Sequence, residues 1–161
     1  MTTQAKGAPI SPPQIIETKA QHTAVIHLTI PRAQMMHVFG PAVQELVAEL
    51  TAQGMPPTGS AFAHHLKMSP DTFDFELGFT TPSPVATAGR IKPGHWPAQK
   101  AAHTVYSGPY EDLPAAWEAF MGWMTTNGVA PAPDLWEHYV VGPHSSPDPA
   151  DWRTELYRPL A

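Results

Sequence analysis

The sequence contains no cysteine, which excludes disulfides, thiolate-bound zinc and cysteine nucleophiles. It also has no apolar run close to the roughly 20 residues a membrane-spanning helix needs, and no charged-then-apolar leader pattern at its start. The expected setting is cytoplasmic, with no membrane partner. Charge is sparse and tilted to the acidic side: 9 Lys and Arg stand against 14 Asp and Glu, for a formal net charge of -5. Binding to a phosphate backbone requires a basic excess, so direct nucleic acid contact is not expected. What the chain has in quantity is proline, 20 residues of it, mostly between periodic segments, where it reads as loop punctuation. A 42% hydrophobic fraction over 161 residues suits one globular domain with a sizeable core.

Residues 1–13 show no periodicity and read as a mobile tail, leaving residues 14–161 as the single expected domain. Ile15 to Ile30 reads as extended, with Val25-Ile26-His27-Leu28-Thr29-Ile30 ended by Pro31. Phe39, Val43, Leu46, Val47 and Leu50 then recur at helical spacing, with Gly54 and Pro56-Pro57 as the stop. Ser60–Met68 and Phe73–Thr80 form two strands about a Pro- and Asp-bearing turn. Residues 82–97, rich in Pro and Gly, read as a connector with one short strand around Ala88 to Ile91. Lys100–Ser107 is the next strand. A second helix follows with Leu113, Trp117, Phe120, Met121 and Met124 on one face, Asp112 as its expected cap ahead of Pro114, and Gly128 as its stop. Leu135–Val141 and Trp152–Pro159 are the last strands.

The halves match each other. An offset of 74 pairs Gly54 with Gly128, Ala42 with Ala116, Pro57 with Pro131, Phe62 with Trp136 and His64 with His138. Beyond the hairpin turn an offset of 79 pairs Phe73 with Trp152, Glu76 with Glu155 and Leu77 with Leu156. The inference is an α+β fold of two strand–helix–strand–strand repeats, at about 14–81 and 98–161, packed about a pseudo-twofold axis with a cleft at their seam. The repeat is asymmetric there: Ala63 aligns with Glu137, and His65 with Tyr139.

Glu137 sits in Trp136-Glu137-His138-Tyr139-Val140-Val141, a run that otherwise reads as a buried strand. A buried acid is costly, so it is either paired by the tertiary structure or kept for a ligand. The plain alternative is an acid on the solvent face of an edge strand. Glu76 and Glu155 match across the halves, which favours a structural hydrogen bond or ion pair for both. Trp117, Trp123 and Trp152 lie near apolar stripes, where core packing is the expectation. His64-His65 is the obvious metal candidate, but adjacent strand residues point to opposite faces; neither a metal site nor a cofactor is expected.

Gly108-Pro109-Tyr110 ahead of the second helix, Gly54 followed by Pro57, Phe73-Asp74-Phe75-Glu76, Trp136-Glu137-His138-Tyr139, and the closing Thr154-Glu155-Leu156-Tyr157-Arg158-Pro159-Leu160 come in an order and spacing that resemble the GyrI-like small-molecule-binding family, the effector-binding domain of bacterial transcription regulators. The resemblance covers roughly residues 14–160. It implies a curved antiparallel sheet with a central cleft for hydrophobic, often cationic, multidrug-type small molecules, and a glutamate at the cleft floor, which maps onto Glu137. Strand alternation then brings Tyr139 to Glu137, and the repeat puts Ala63 and His65 on the facing wall. Tyr106, Tyr110 and Tyr157 are further lining candidates. Trp96 is either a lid over the cleft or a loop aromatic pinned to the core.

The short stretch before the first strand leaves no room for a helix-turn-helix, so a stand-alone member is expected. Three roles stay open: a binding protein; a hydrolase that opens cyclopropanoid DNA-alkylating compounds, with Glu137 as general acid or base and Tyr139 beside it; or an inhibitor that binds a protein such as gyrase.

Overall fold

The computed structural model describes residues 10–143 and 145–161, with the backbone alone at Met68. The expected tail falls outside the described residues over 1–9. Its remainder is not loose: Ile10 bridges Tyr106, and Ser11 bonds to both Thr104 and the backbone of Val105. The protein is α+β, with eight strands and two long helices among the described residues. They divide into two compact units, Thr18–Ala98 and a second formed by Gln99–Ala161 with the stretch up to Glu17.

In the unit Thr18–Ala98, β2 (Gln21–Pro31) leads into α1 (Met35–Ala52), then β3 (Phe62–Met68), β4 (Thr72–Thr81) and β5 (Ile91–Trp96). All pairings are antiparallel, in the order β3-β4-β2-β5. Four successive residues of β2, Thr23 to Ile26, are buried, so the strand is covered on both faces there. Helix α1 packs on β2 and β4 through Ala42, Leu46 and Leu50. Val47, expected in that stripe, is 39% exposed; its place is taken by Ala42, whose small side chain lets the helix approach the sheet. Arg90 clasps Glu45 with a two-pronged ion pair and ties the chain before β5 to α1.

β5 is the strand that sequence patterning shifts out of place. Pro93 and Gly94 inside it read as loop residues, yet an outer strand tolerates a proline whose missing N–H faces away from the ladder. Gly94 has a steric reason as well, since a Cβ there would lie 2.6 Å from the hydroxyl of Thr23.

In the other unit, β1 (Gln14–Glu17), β6 (Lys100–Ser107), β8 (Arg153–Pro159) and β7 (Leu135–Val141) lie in the order β1-β6-β8-β7, again antiparallel. Helix α2 (Leu113–Thr126) connects β6 to β7. The extended stretch expected from Ile15 to Ile30 is thus two strands: β1 pairs with β6 and β2 with β4 and β5, and residues 18–20 make the change.

Both helices end in the same way. Gly54 and Gly128 take φ of 79° and 68°, a region in which glycine carries no Cβ penalty. Met55 N–H returns to Leu50 O at 2.8 Å and Val129 N–H to Met124 O at 2.8 Å, with the inner bonds made by the two glycines; this is the Schellman arrangement. The helix starts are less regular. Asp112 stands at the N-terminal boundary of α2 with Pro114 in its first turn, but its side chain makes no capping hydrogen bond. A 3-10 turn over Tyr110–Asp112 precedes the helix instead.

Candidate functional site

The site is built on β7 and α2. Residues paired across an antiparallel ladder share a face, so the pairs Glu137–Leu156 and Thr104–Leu156 put Glu137 on the same face as the core against which α2 packs. Ala102, Tyr106, Leu156, Ala116, Phe120 and Met124 fill that core. Glu137 is 9% exposed and Tyr139 8%, and the edge-strand solvent position is thereby excluded for Glu137.

The carboxylate is gripped at both oxygens. Trp117 donates its indole N–H to Oε2 at 2.7 Å, and Tyr139 donates its hydroxyl to Oε1 at 2.7 Å. These donors are neutral: they fix the orientation of the carboxylate without adding positive charge. Burial first, and then the Glu137 charge and hydrogen bond, push the Tyr139 phenol well above its ordinary range. Tyr110 meets Tyr139 edge-on with ring centroids 5.6 Å apart and lies 4.9 Å from the Trp152 ring. Burial and the Glu137 charge push Tyr110 up to about 12. An acid is therefore set among four aromatic side chains, three of which, Trp117, Tyr110 and Trp152, are only half-buried.

Of the candidates taken from the sequence, Glu137, Tyr139 and Tyr110 come together. Tyr106 is 1% exposed in the α2 core and donates its hydroxyl to Pro109 O at 2.6 Å, which locks the turn before the helix. Gly108 is required in that turn, with φ of 134° and a Tyr106 hydroxyl 2.8 Å from where a Cβ would stand. Tyr157 pairs with Trp136 and His103, so it lies on the sheet face opposite Glu137. There its hydroxyl donates to Glu155. Ala63, His65 and Trp96 belong to the other unit. Ala63 is fully buried opposite Leu77. His65 is 3% exposed and stacks on Phe75 at 5.2 Å. Trp96 ends β5, 5% exposed, with its ring edge-on to Phe62 at 5.1 Å.

Trp117 is the member that sequence reasoning assigned to packing alone. Its ring does pack, 5.6 Å from Phe120, but its N–H serves the acid. The available signal was its place beside the apolar stripe of α2, where a half-buried indole N–H needs an acceptor. Glu155, matched to Glu76 by sequence, has the expected structural role. It lies between His138 at 2.8 Å and His103 at 3.1 Å, as Glu76 faces His64 at 3.8 Å. Among the described residues no group of three or more His, Cys, Asp or Glu is placed to hold a metal ion, and no helix is long and apolar enough to cross a membrane.

No curated protein matches the chain. Several solved structures share its fold. The EcmrR C-terminal domain superposes with a TM-score of 0.80 at 22% identity, over 93% of this chain and 97% of that one. In the EcmrR–DNA complex the match covers 94% of this chain and 57% of the longer protein, at 21% identity and a TM-score of 0.77, so the chain spans little more than half of that relative. SAV2435 bound to tetraphenylphosphonium matches at 10% identity and a TM-score of 0.67, over 94% of each chain. A hydrolase from Listeria innocua matches at 13% identity and 0.69, over 99% of this chain and 96% of that one. At these identities the likeness is one of fold. The model of the GyrI-like small molecule binding domain matches residues 11–161, and the chain belongs to that family.

Proposed function

We propose that this protein binds hydrophobic, aromatic small molecules and favours cationic ones, with Glu137 meeting the positive charge. The observation that carries the reading is the Glu137 carboxylate, nearly buried and held on both oxygens by Trp117 and Tyr139 beside the rings of Tyr110 and Trp152. A carboxylate out of bulk water attracts a cation more strongly than an exposed one does, and half-buried aromatic faces add cation–π and stacking contacts. The family match supports a small-molecule ligand, and SAV2435 with tetraphenylphosphonium supports an aromatic cation as the first probe.

Glu137→Gln keeps the shape of the side chain and removes its charge. It is expected to weaken tetraphenylphosphonium about 10- to 100-fold, while triphenylphosphine oxide, a neutral triaryl compound, loses less than about threefold. Titration calorimetry with both compounds decides the matter: equal losses would remove Glu137 as the countercharge.

The Tyr139–Glu137 hydrogen bond favours a second reading, hydrolysis of ring-strained electrophiles such as cyclopropanoid DNA-alkylating compounds. Glu137 would take a proton from the attacking water as its oxygen bonds to a cyclopropane carbon; the strained C–C bond at that carbon breaks, its electron pair passes into the electrophilic group conjugated with the ring, and the proton returned from Glu137 completes the ring-opened product. Tyr139, its phenol held protonated, would keep the carboxylate in place. Incubation with a cyclopropanoid alkylator should then give a ring-opened, water-added product by mass spectrometry, absent with Glu137→Gln. Intact compound after incubation with the unmodified protein counts against hydrolysis and leaves binding as the function.

We also infer that the two units are one β–α–β–β segment used twice. The matched residue offsets, the common element order and the paired Schellman stops at Gly54 and Gly128 support this.

A further inference from the structure

Among the described residues, His27 faces Asp74, His64 faces Glu76, and His103 and His138 share Glu155. His22 and His95 face each other instead. They are directly opposite across the β2–β5 ladder, which puts both side chains on one face. Their ring centroids are 6.4 Å apart with the planes at 72°, and both residues are exposed. The same end of the sheet borders a cavity of about 580 Å³, in whose wall His22 lies with Gln21, Met55, Thr58 and Thr81. Strand pairing thus presents two exposed imidazoles side by side, with His22 in the wall of that cavity.

We propose that His22 and His95 chelate a divalent transition-metal ion of the copper, nickel and zinc class, with water in the remaining positions on the cavity side. Imidazole nitrogens bind such ions at about 2.0–2.1 Å, which for two ligands at a tetrahedral angle brings ring centroids to roughly 5 Å. Closing from 6.4 Å takes only side-chain rotation, which exposed rings make at little cost. The backbone register supplies the rest, because the second imidazole is already next to the first when one nitrogen binds. With two protein ligands the site stays open to water and to a further ligand. Nitrogen donors select against magnesium and calcium, which prefer oxygen, and the affinity order places copper(II) above nickel and zinc.

The test uses the full chain freed of metal, titrated with Cu2+, Zn2+ and Mg2+ in a non-coordinating buffer, together with His22→Ala, His95→Ala and, as a control, His37→Ala on α1. Because the two imidazoles are exposed, circular dichroism should show all variants folded. One equivalent of Cu2+ is expected to bind with a two-nitrogen signature in electron paramagnetic resonance. Affinity should fall about 100-fold in either strand variant, the loss of a linked second ligand, and stay unchanged in the control. Mg2+ should not bind. Affinities in His22→Ala and His95→Ala within about threefold of the unmodified chain, or no saturable binding by that chain, would overturn the site.

Discussion

Replacing Phe120 by alanine is expected to destabilise the protein by about 3–5 kcal/mol, the range for truncating a fully buried aromatic ring. Phe120 has no exposed surface and sits at the centre of the α2 core, among Ala116, Met124 and Leu156. The loss has two parts, the transfer of the ring's apolar surface and the cavity left behind. A helix held on one side by β6 and β8 cannot collapse to fill that space. The effect should reach the site, because the Trp117 ring rests on Phe120 at 5.6 Å while its N–H holds Glu137. Phe120→Leu, which keeps most of the volume, should cost less than about 1.5 kcal/mol. Denaturant unfolding with an unchanged slope measures both. A Phe120→Ala shift below about 1 kcal/mol would mean that this core is not what holds α2.

Acidification should remove stability through Glu155. Hydrogen bonds from His103 and then His138 hold its carboxyl well below the ordinary value of 4.5, against an opposing push from burial. The folded value lies below the unfolded one, so the contribution is complete above about pH 4.5 and is lost as pH falls beneath it. The slope from this one group is at most about 1.4 kcal/mol per pH unit. Glu76, lowered by His64, acts in the same direction. Unfolding measured at pH 7, 4.5 and 3 should therefore show a drop below pH 4.5 that is shallower in Glu155→Gln. The variant should also be less stable at pH 7 by about 1.5–3 kcal/mol, the scale of hydrogen bonds to a charged group. Parallel pH profiles for the two proteins would rule out Glu155 as the source.

The parts of this protein that local pattern sets were legible in the sequence. Two helices ended by Gly54 and Gly128 and strands closed by Pro31 and Pro159 follow from backbone freedom and side-chain period, which act over a few residues. The same reasoning isolated Glu137, because an acid in a run of Trp, Tyr and Val conflicts with its neighbours. Proline and glycine misled only at β5, where the permission comes from an outer position in a sheet and not from the residues themselves. Likewise the stretch from Ile15 to Ile30 gave no sign that it changes pairing partners at residues 18–20, since extended sequence does not name the strand it will pair with.

What the tertiary structure alone decided is who surrounds the acid. Trp117 is 20 residues away on a helix, and only the packing of α2 on the sheet brings its indole to Oε2. Tyr157 is as aromatic as Tyr110, yet the ladder register turns it to the opposite face, toward Glu155, while Tyr110 reaches Tyr139 from the turn before the helix. A strand's own alternation gives two faces and does not say which one the helix will cover. That choice is fixed by where the apolar surface of the whole unit can be buried, and it decides that Glu137 is the acid held among aromatic rings while Glu155 is the acid shared by two histidines.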